Sequence, residues 1–241
     1  MTHGDFIWCD LSAYDPDAAM RFYSDLLGWR WSDEDGSNRL AWLGDQPVAS
    51  IYQMPQKFID IGMPSFWMSY IAVDDAAATA TKAAELGGKV ELGPAALDSE
   101  SQYALIRDPL GAGFTVIDGQ NASPTSQEPG ARYGHALFVS DAGAIAPFYE
   151  ALFGWQFAAY DDGAIRVHHS GEVLFHCHEI PDPAVRGKEQ YWAVLFRQHS
   201  GGDQVEACGG RVEAQFDLPE GRATLGRDSQ KAAFMLIDVA T

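Results

Sequence analysis

The sequence predicts an α+β fold made of two tandem modules, each built from two βαβββ units. A repeat carries that expectation. Phe22-Tyr23-Ser24-Asp25-Leu26-Leu27-Gly28-Trp29 recurs as Phe148-Tyr149-Glu150-Ala151-Leu152-Phe153-Gly154-Trp155, an offset of 126. Gly87-Gly88-Lys89-Val90-Glu91 recurs as Gly209-Gly210-Arg211-Val212-Glu213 at an offset of 122, and Phe66-Trp67 answers Tyr191-Trp192 at 125. Three matches in one order, with offsets differing by a few residues, describe a duplication with small insertions. The second observation is the segment between the copies, DGQNASPTSQEPGA, from Asp118 to Ala131. Its Gly, Pro, Ser and Asn content and lack of apolar periodicity mark a linker. The modules are therefore 1–118 and 132–241, with 119–131 between them.

Each element has a local reason. Phe6 to Ala13 reads as a strand, and Asp15-Pro16 supplies an N-cap followed by Pro at the first helical position. Ala19, Phe22, Tyr23, Leu26 and Leu27 follow at helical spacing, and Gly28 stops the helix. Short strands are expected at 29–32, 39–43 and 48–53, with Gly44-Asp45 as a hairpin turn. The segment 65–73 is a strand, and Asp74 is expected to cap an Ala-rich helix running to Leu86. Strands at 89–92, 103–107 and 113–117 complete the module. Module two repeats the order, with strands at 133–139 and 191–196, a helix over 141–153 and a shorter helix ending at Ala207.

Composition narrows the function. A hydrophobic content of 46% with 12% aromatics supports packed cores rather than a disordered chain. A formal charge of −18 argues against nucleic acid and anionic lipid surfaces, both of which reward clustered Lys and Arg. No apolar run approaches the ~20 residues that span a bilayer. The start, Met1-Thr2-His3-Gly4-Asp5, carries no basic or apolar signal region. Cys9, Cys177 and Cys208 are widely spaced and odd in number, which fits reduced thiols. These features predict a cytoplasmic protein with a small-molecule ligand, either a monomer with intrachain module pairing or a homodimer.

A strand, an Asp, Phe-Tyr seven residues on and then Leu-x-Gly-Trp resembles the first half of a module of the vicinal-oxygen-chelate superfamily, which holds the glyoxalases, bleomycin-resistance proteins and extradiol dioxygenases. Strand, Asp-Asp, helix and Gly-Gly, followed by Arg107-Asp108-Pro109-Leu110-Gly111, resembles the second half. The resemblance covers nearly all of both modules, although module two has Asp228-Ser229-Gln230-Lys231 in place of Asp-Pro-x-Gly. It is closest to two-module members of the glyoxalase-like or hydroxylase type. It implies cup-shaped mixed sheets around a cavity, and in metal-using members His and Glu on the strands hold a divalent ion that binds vicinal substrate oxygens.

The implied ligand positions can be checked one by one. The first lies seven residues before the Asp that opens the first helix, which is Trp8 in module one and Gly134 in module two. His135 is one residue off and, by strand alternation, points to the other face. The second position holds Met68 and Ala193, and the third Thr115 and Met235. No position carries a usual metal donor, so no cofactor is expected, and Trp8, Met68 and Thr115 are the candidate lining of a metal-free cavity. Asp10, on the same apolar strand, is a further ligand-binding candidate.

The histidines of module two offer the alternative. His176 and His178 share a strand face, and His168 lies one strand away, so a displaced divalent-metal site at His168, His176 and His178 is weighed against ordinary strand-end histidines. The module-one counterparts are Trp42, Ser50 and Tyr52. Phe22, Tyr23, Trp29, Phe148, Tyr149 and Trp155 read as core, Asp108 as a turn cap and Cys9 as a small buried thiol. Two function classes follow. One is a binding protein for a small apolar or aromatic molecule in a sheet-lined cavity without the usual metal site. The other is a metal-dependent lyase or dioxygenase that uses the displaced histidines. The residues that would be catalytic, and the ligand itself, are not legible.

Overall fold

The computed structural model describes residues 2–32, 38–120, 128–180, 189–198 and 201–239. In module one these are β1 (Phe6–Ala13), α1 (Pro16–Leu27), β2 (Arg30–Trp31), β3 (Asn38–Leu43), β4 (Gln46–Gln53) and α2 (Gln56–Asp60). They continue with β5 (Phe66–Ala72), α3 (Ala76–Glu85), β6 (Lys89–Ala96), β7 (Gln102–Arg107) and β8 (Gly113–Ile117). Module two has β9 (Arg132–Val139), α4 (Ala142–Phe153), β10 (Gln156–Ala159), β11 (Ile165–His169) and β12 (Glu172–Glu179). It closes with β13 (Tyr191–Arg197), α5 (Gly201–Ala207), β14 (Arg211–Leu218), β15 (Gly221–Arg227) and β16 (Ala233–Val239). The centre of the expected linker, 121–127, lies outside the described residues.

The signals read from sequence act as expected at α1. The Asp15 side chain accepts from the Ala18 N–H, Pro16 opens the helix, and Gly28 closes it at φ 72°. Asp141 and Gly154 do the same for α4. One cap differs. Asp75, not Asp74, caps α3 by accepting from Ala78 N–H, and Asp74 instead lies 3.6 Å from the His3 imidazole. The chain needs one more extended residue after β5 before it can turn, and only the second Asp then reaches the first-turn amides. The helix α2 and the extension of β6 to Ala96 were not expected; β6 carries register shifts and a cis Gly93-Pro94 bond.

Each module supplies one eight-stranded mixed sheet, in the order β2-β3-β4-β1-β5-β8-β7-β6 and β10-β11-β12-β9-β13-β16-β15-β14. The two orders are the same permutation, as duplication requires. Within each, the pairs β1–β4, β5–β8, β9–β12 and β13–β16 are parallel, and the hairpins are antiparallel. This is the α+β arrangement of two tandem modules that the sequence predicted.

Packing divides the chain differently from the sheets. One compact unit contains Met1–Trp8, Ser69–Ala122 and Gly134–Trp192, and the other contains Cys9–Met68, Ser123–Tyr133 and Ala193–Thr241. Each unit thus joins half of one module with half of the other. In the first, α3 and α4 cover the sheet through Ala76, Ala80, Ala83, Ile145, Phe148, Tyr149 and Leu152, which pack on Ile106, Phe114, Val116, Leu137 and Trp192. In the second, Phe22, Tyr23, Leu26 and Leu27 of α1 join Leu11, Ile51, Trp67, Phe196 and Phe234.

The second Gly of each repeated Gly-Gly pair permits this packing. A Cβ on Gly88 would lie 3.0 Å from Phe148 and from the carbonyls of Ala83 and Arg107. A Cβ on Gly210 would lie 3.0 Å from Phe22 and 2.6 Å from the Arg227 carbonyl. The glycines end helices, as the sequence indicated, and they also give the aromatic ring of the other module's helix room to approach.

Candidate functional site

The candidate residues fall on both compact units: Trp8 and Thr115 on the first, Asp10 and Met68 on the second. Each group follows from strand alternation. In the first unit Ile71, Ala104, Ile106, Phe114 and Val116 enter the helix-side core, so their neighbours project from the opposite face. That face holds Tyr70, Ala72, Tyr103 and Ile117; Ala72 and Ile117 cluster with Ile7, and Trp8, Tyr70 and Tyr103 pack against the cluster. Thr115 is buried and stands opposite Tyr70 across the β5–β8 pair. The result is an apolar, aromatic face that also carries the Thr115 hydroxyl.

The second unit presents a polar counterpart. Cys9, Leu11, Ala49 and Ile51 enter the core, which leaves Asp10, Ser12, Ser50 and Tyr52 on the other face of β1 and β4. Asp10 pairs with Ser50 and Ser12 with Tyr52 in the parallel register. Asp10 is 4% exposed, Ser12 0% and Ser50 2%. Ser12 Oγ sits beside Tyr52 without making a hydrogen bond of normal geometry. Burial and then the Asp10 charge hold the Tyr52 hydroxyl well above the usual phenol range, so it stays a donor. Met68 is buried.

Cys9 lies on the core side of the same strand. Its Sγ approaches the Val48 carbonyl at 3.9 Å, and burial pushes the thiol up to about 12, with Arg132 opposing and Asp10 adding to the rise. Such a thiol is packing rather than a nucleophile.

The module-two histidines separate into four environments, all in the first unit, with His169 Nε2 3.7 Å from Asp5. His135 occupies the core side, between Ser69 Oγ at 2.9 Å from its Nδ1 and the Phe6 ring stacked 4.0 Å away. The one-residue slip read from the sequence therefore does turn it away from the opposite face. His168 Nε2 is 2.9 Å from the Tyr160 hydroxyl, and Tyr160 also lies under the Arg166 guanidinium. His176 and His178 project together from β12, with ring centroids 6.4 Å apart. Phe138 stacks on His178 at 4.9 Å and on Tyr191 at 5.0 Å. Burial, reinforced by His176, lowers His178 to about 4, so its imidazole is neutral at physiological pH.

A divalent ion needs several convergent donors. Among the described residues no group of three or more His, Cys, Asp or Glu is arranged to hold one. The positions where the resemblance places ligands carry indole, thioether and hydroxyl in module one, and Gly134, Ala193 and Met235 in module two. These residues do not fit the family's usual metal. His176 and His178 share a face, but the structure ties His168 to Tyr160.

The aromatics shared by the two repeats are structural. The Tyr149 hydroxyl donates to Asp108, and Trp192 Nε1 donates to that hydroxyl at 3.2 Å. In the other unit Tyr23 donates to Asp228 and accepts from Trp67 Nε1 at 2.9 Å. Asp108 also caps its turn, accepting from the Leu110, Gly111 and Ala112 amides. Asp228 caps through Gln230 and Ala232 although its motif has changed, with Lys231 taking a φ of 73° where module one has Gly111.

Residues 7–117 match the glyoxalase-like domain family. That match spans nearly all of the first module. The chain is 39% identical over 118 residues to "Putative glyoxylase CFP32" of Mycobacterium bovis, a match covering 47% of this chain and 44% of that protein. The match thus spans less than half the length of that relative. The whole two-module chain is 27% identical over 263 residues to the "Anthracycline biosynthesis protein DauV" of a Streptomyces species, covering 96% of this chain and 92% of the relative. Among solved structures it resembles the Mn(II)-bound glyoxalase from Novosphingobium aromaticivorans at 14% identity and a TM-score of 0.66, over 100% of this chain and 85% of the other. That likeness is one of fold. No helix of the described residues is long and apolar enough to cross a membrane.

Sequence reasoning had named Asp10, Trp8, Met68 and Thr115 but not Ser12, Tyr70 or Tyr103. Strand alternation from Asp10 would have reached Ser12. Tyr70 and Tyr103 needed the β5–β8–β7 register, which no local signal contains.

Proposed function

We propose that this chain binds a small apolar or aromatic molecule against the sheet faces of its glyoxalase-like modules, without the family's usual divalent ion. The observation that carries the reading is the apolar cluster of Ile7, Ala72 and Ile117 with Trp8, Tyr70 and Tyr103 packed against it, with Thr115 where a metal-using relative would have its carboxylate. Aromatic side chains supply large contact area and tolerate ring stacking, while the Thr115 and tyrosine hydroxyls orient a ligand without demanding a charge. The relatedness to a protein named for anthracycline biosynthesis supports an aromatic ligand.

A second reading, a metal-dependent lyase or dioxygenase, draws on the shared face of His176 and His178 and on the Mn(II) named for the glyoxalase of similar fold. Protein purified without a His-tag separates the two. The first reading expects substoichiometric metal and saturable binding of the neutral probe N-phenyl-1-naphthylamine, followed by Trp fluorescence and unchanged by EDTA. Stoichiometric copurified metal, with binding or turnover lost on chelation, would overturn it in favour of the second.

A further inference from the structure

At the ends of the parallel strands β1 and β4, beside the first turn of α1, lies a cavity of about 550 Å³. It belongs wholly to the second compact unit, and its lining includes Tyr14, Asp15, Asp17, Arg39, Tyr52 and Gln53. Hydrogen bonds fix its wall. The Asp15 N–H donates to Gln230 Oε1 at 2.8 Å, and Gln230 Nε2 donates to the Asp15 carbonyl at 2.8 Å. Gln53 Nε2 donates to the Tyr14 carbonyl at 2.8 Å, and the Tyr14 hydroxyl donates to the Met63 carbonyl. Gln230 stands where module one has Leu110, inside the segment that departs from Asp-Pro-x-Gly. A wall held in advance leaves less ordering for a ligand to impose.

The duplication gives the same backbone a different lining in module two. Arg39 lies opposite Ile51 as Ile165 lies opposite Cys177, at the offset of 126 that also relates Tyr14 to Ser140 and Asp17 to Gly143. Ile165 packs against a core. Arg39 instead brings Nη1 to 3.6 Å from Asp17 Oδ1 and 3.9 Å from Met20 Sδ. With the two side chains 39% and 68% exposed, this ion pair adds little stability.

We propose that this cavity binds a neutral sugar ring, seated between the Arg39 guanidinium and the Asp15 and Asp17 carboxylates. A hydroxyl both donates and accepts, so neighbouring hydroxyls of one ring can give protons to the carboxylates while accepting from the guanidinium. A simple anion would meet two carboxylates here, and a simple cation would meet the guanidinium. Tyr14 and Tyr52 add aromatic surface for the C–H face of the ring. Module two has neither the guanidinium nor the second carboxylate. The site does not rest on the aromatic-ligand reading, whose face belongs to the first unit.

Saturation-transfer NMR on the intact chain tests the site with the methyl α-pyranosides of D-glucose, D-galactose, D-mannose and L-rhamnose. At least one should bind saturably, with a dissociation constant on the order of 1 mM. Arg39→Ala should weaken that binding about ten-fold or more, and Asp17→Asn should weaken it in the same direction. Should Arg39→Ala not fold, Arg39→Lys, which keeps the charge but loses the planar fork, carries the same expectation. If Arg39 only packs on α1, its removal shifts the melting temperature and leaves binding unchanged, and that result would overturn the site. Two other results would do the same: no pyranoside bound at concentrations up to about 50 mM, or acetate or methylammonium bound more tightly than every pyranoside.

Discussion

The Tyr149 hydroxyl donates to Asp108 at 2.8 Å, and its repeat counterpart Tyr23 donates to Asp228 at 3.0 Å. In each pair the tyrosine comes from the first half of one module and the aspartate from the second half of the other. The bond therefore joins the two pieces from which each compact unit is made.

Removing one hydroxyl tests its weight. Tyr149→Phe leaves Asp108 Oδ2 and Trp192 Nε1 without that partner in a buried site. It should cost about 1–3 kcal/mol in urea unfolding. Tyr23→Phe should cost a similar amount, and Tyr149→Phe combined with Asp108→Asn should cost less than the sum of the single changes, because the two groups share one interaction.

The glycines that admit the facing rings make a second prediction. Gly210→Ala should destabilise by about 1–3 kcal/mol, since its Cβ meets a backbone carbonyl that cannot swing away. Gly88→Ala, whose nearest contacts are all at 3.0 Å, should cost less. Thermal unfolding of the two variants side by side gives the order.

Acid sensitivity should trace to His178. Its folded value, about 4, lies below that of an unfolded histidine, so the unfolded chain takes up a proton first as the pH falls. The stability is fully present above about pH 6.5 and is lost progressively down to about pH 4, on the order of 2–4 kcal/mol in all. His178→Gln should flatten the melting temperature between pH 7 and pH 5. Asp108 and Asp228, raised by burial, act with the opposite sign.

Thiol accessibility should split the three cysteines. Cys9 and Cys177 are buried and both pushed up to about 12, chiefly by burial, whereas Cys208 is partly exposed. An aromatic disulfide reagent at mildly alkaline pH should titrate one thiol quickly in native protein and all three after denaturation. Fast reaction of two or more in the native state would contradict the packing around β1 and β12.

Much of the fold was legible because its signals are local. Asp15-Pro16 and Gly28 act within one helical turn of themselves, and the repeat at offset 126 fixed the same elements a second time. The cap at Asp75 was misplaced because Asp74-Asp75 offers two equivalent acceptors, and only the exit of β5 selects between them. The site was less legible. Alternation along β1 placed Asp10 on a face, yet which side chains stand opposite it depends on the parallel pairing with β4, set by residues 40 positions away.

The sequence by itself determined that there are two copies, where α1 and α4 start and stop, and which residues occupy the positions where the resemblance places metal donors. Those properties reside in residue identity and in spacings shorter than a helix. Only the tertiary structure decided that the packing units combine halves of different modules, that His168 pairs with Tyr160 rather than with His176, and that Asp10, Ser12, Ser50 and Tyr52 form one row. The reason is that strand register and helix–sheet packing are chosen by which apolar faces bury one another across the whole chain, and no short stretch of sequence records that choice.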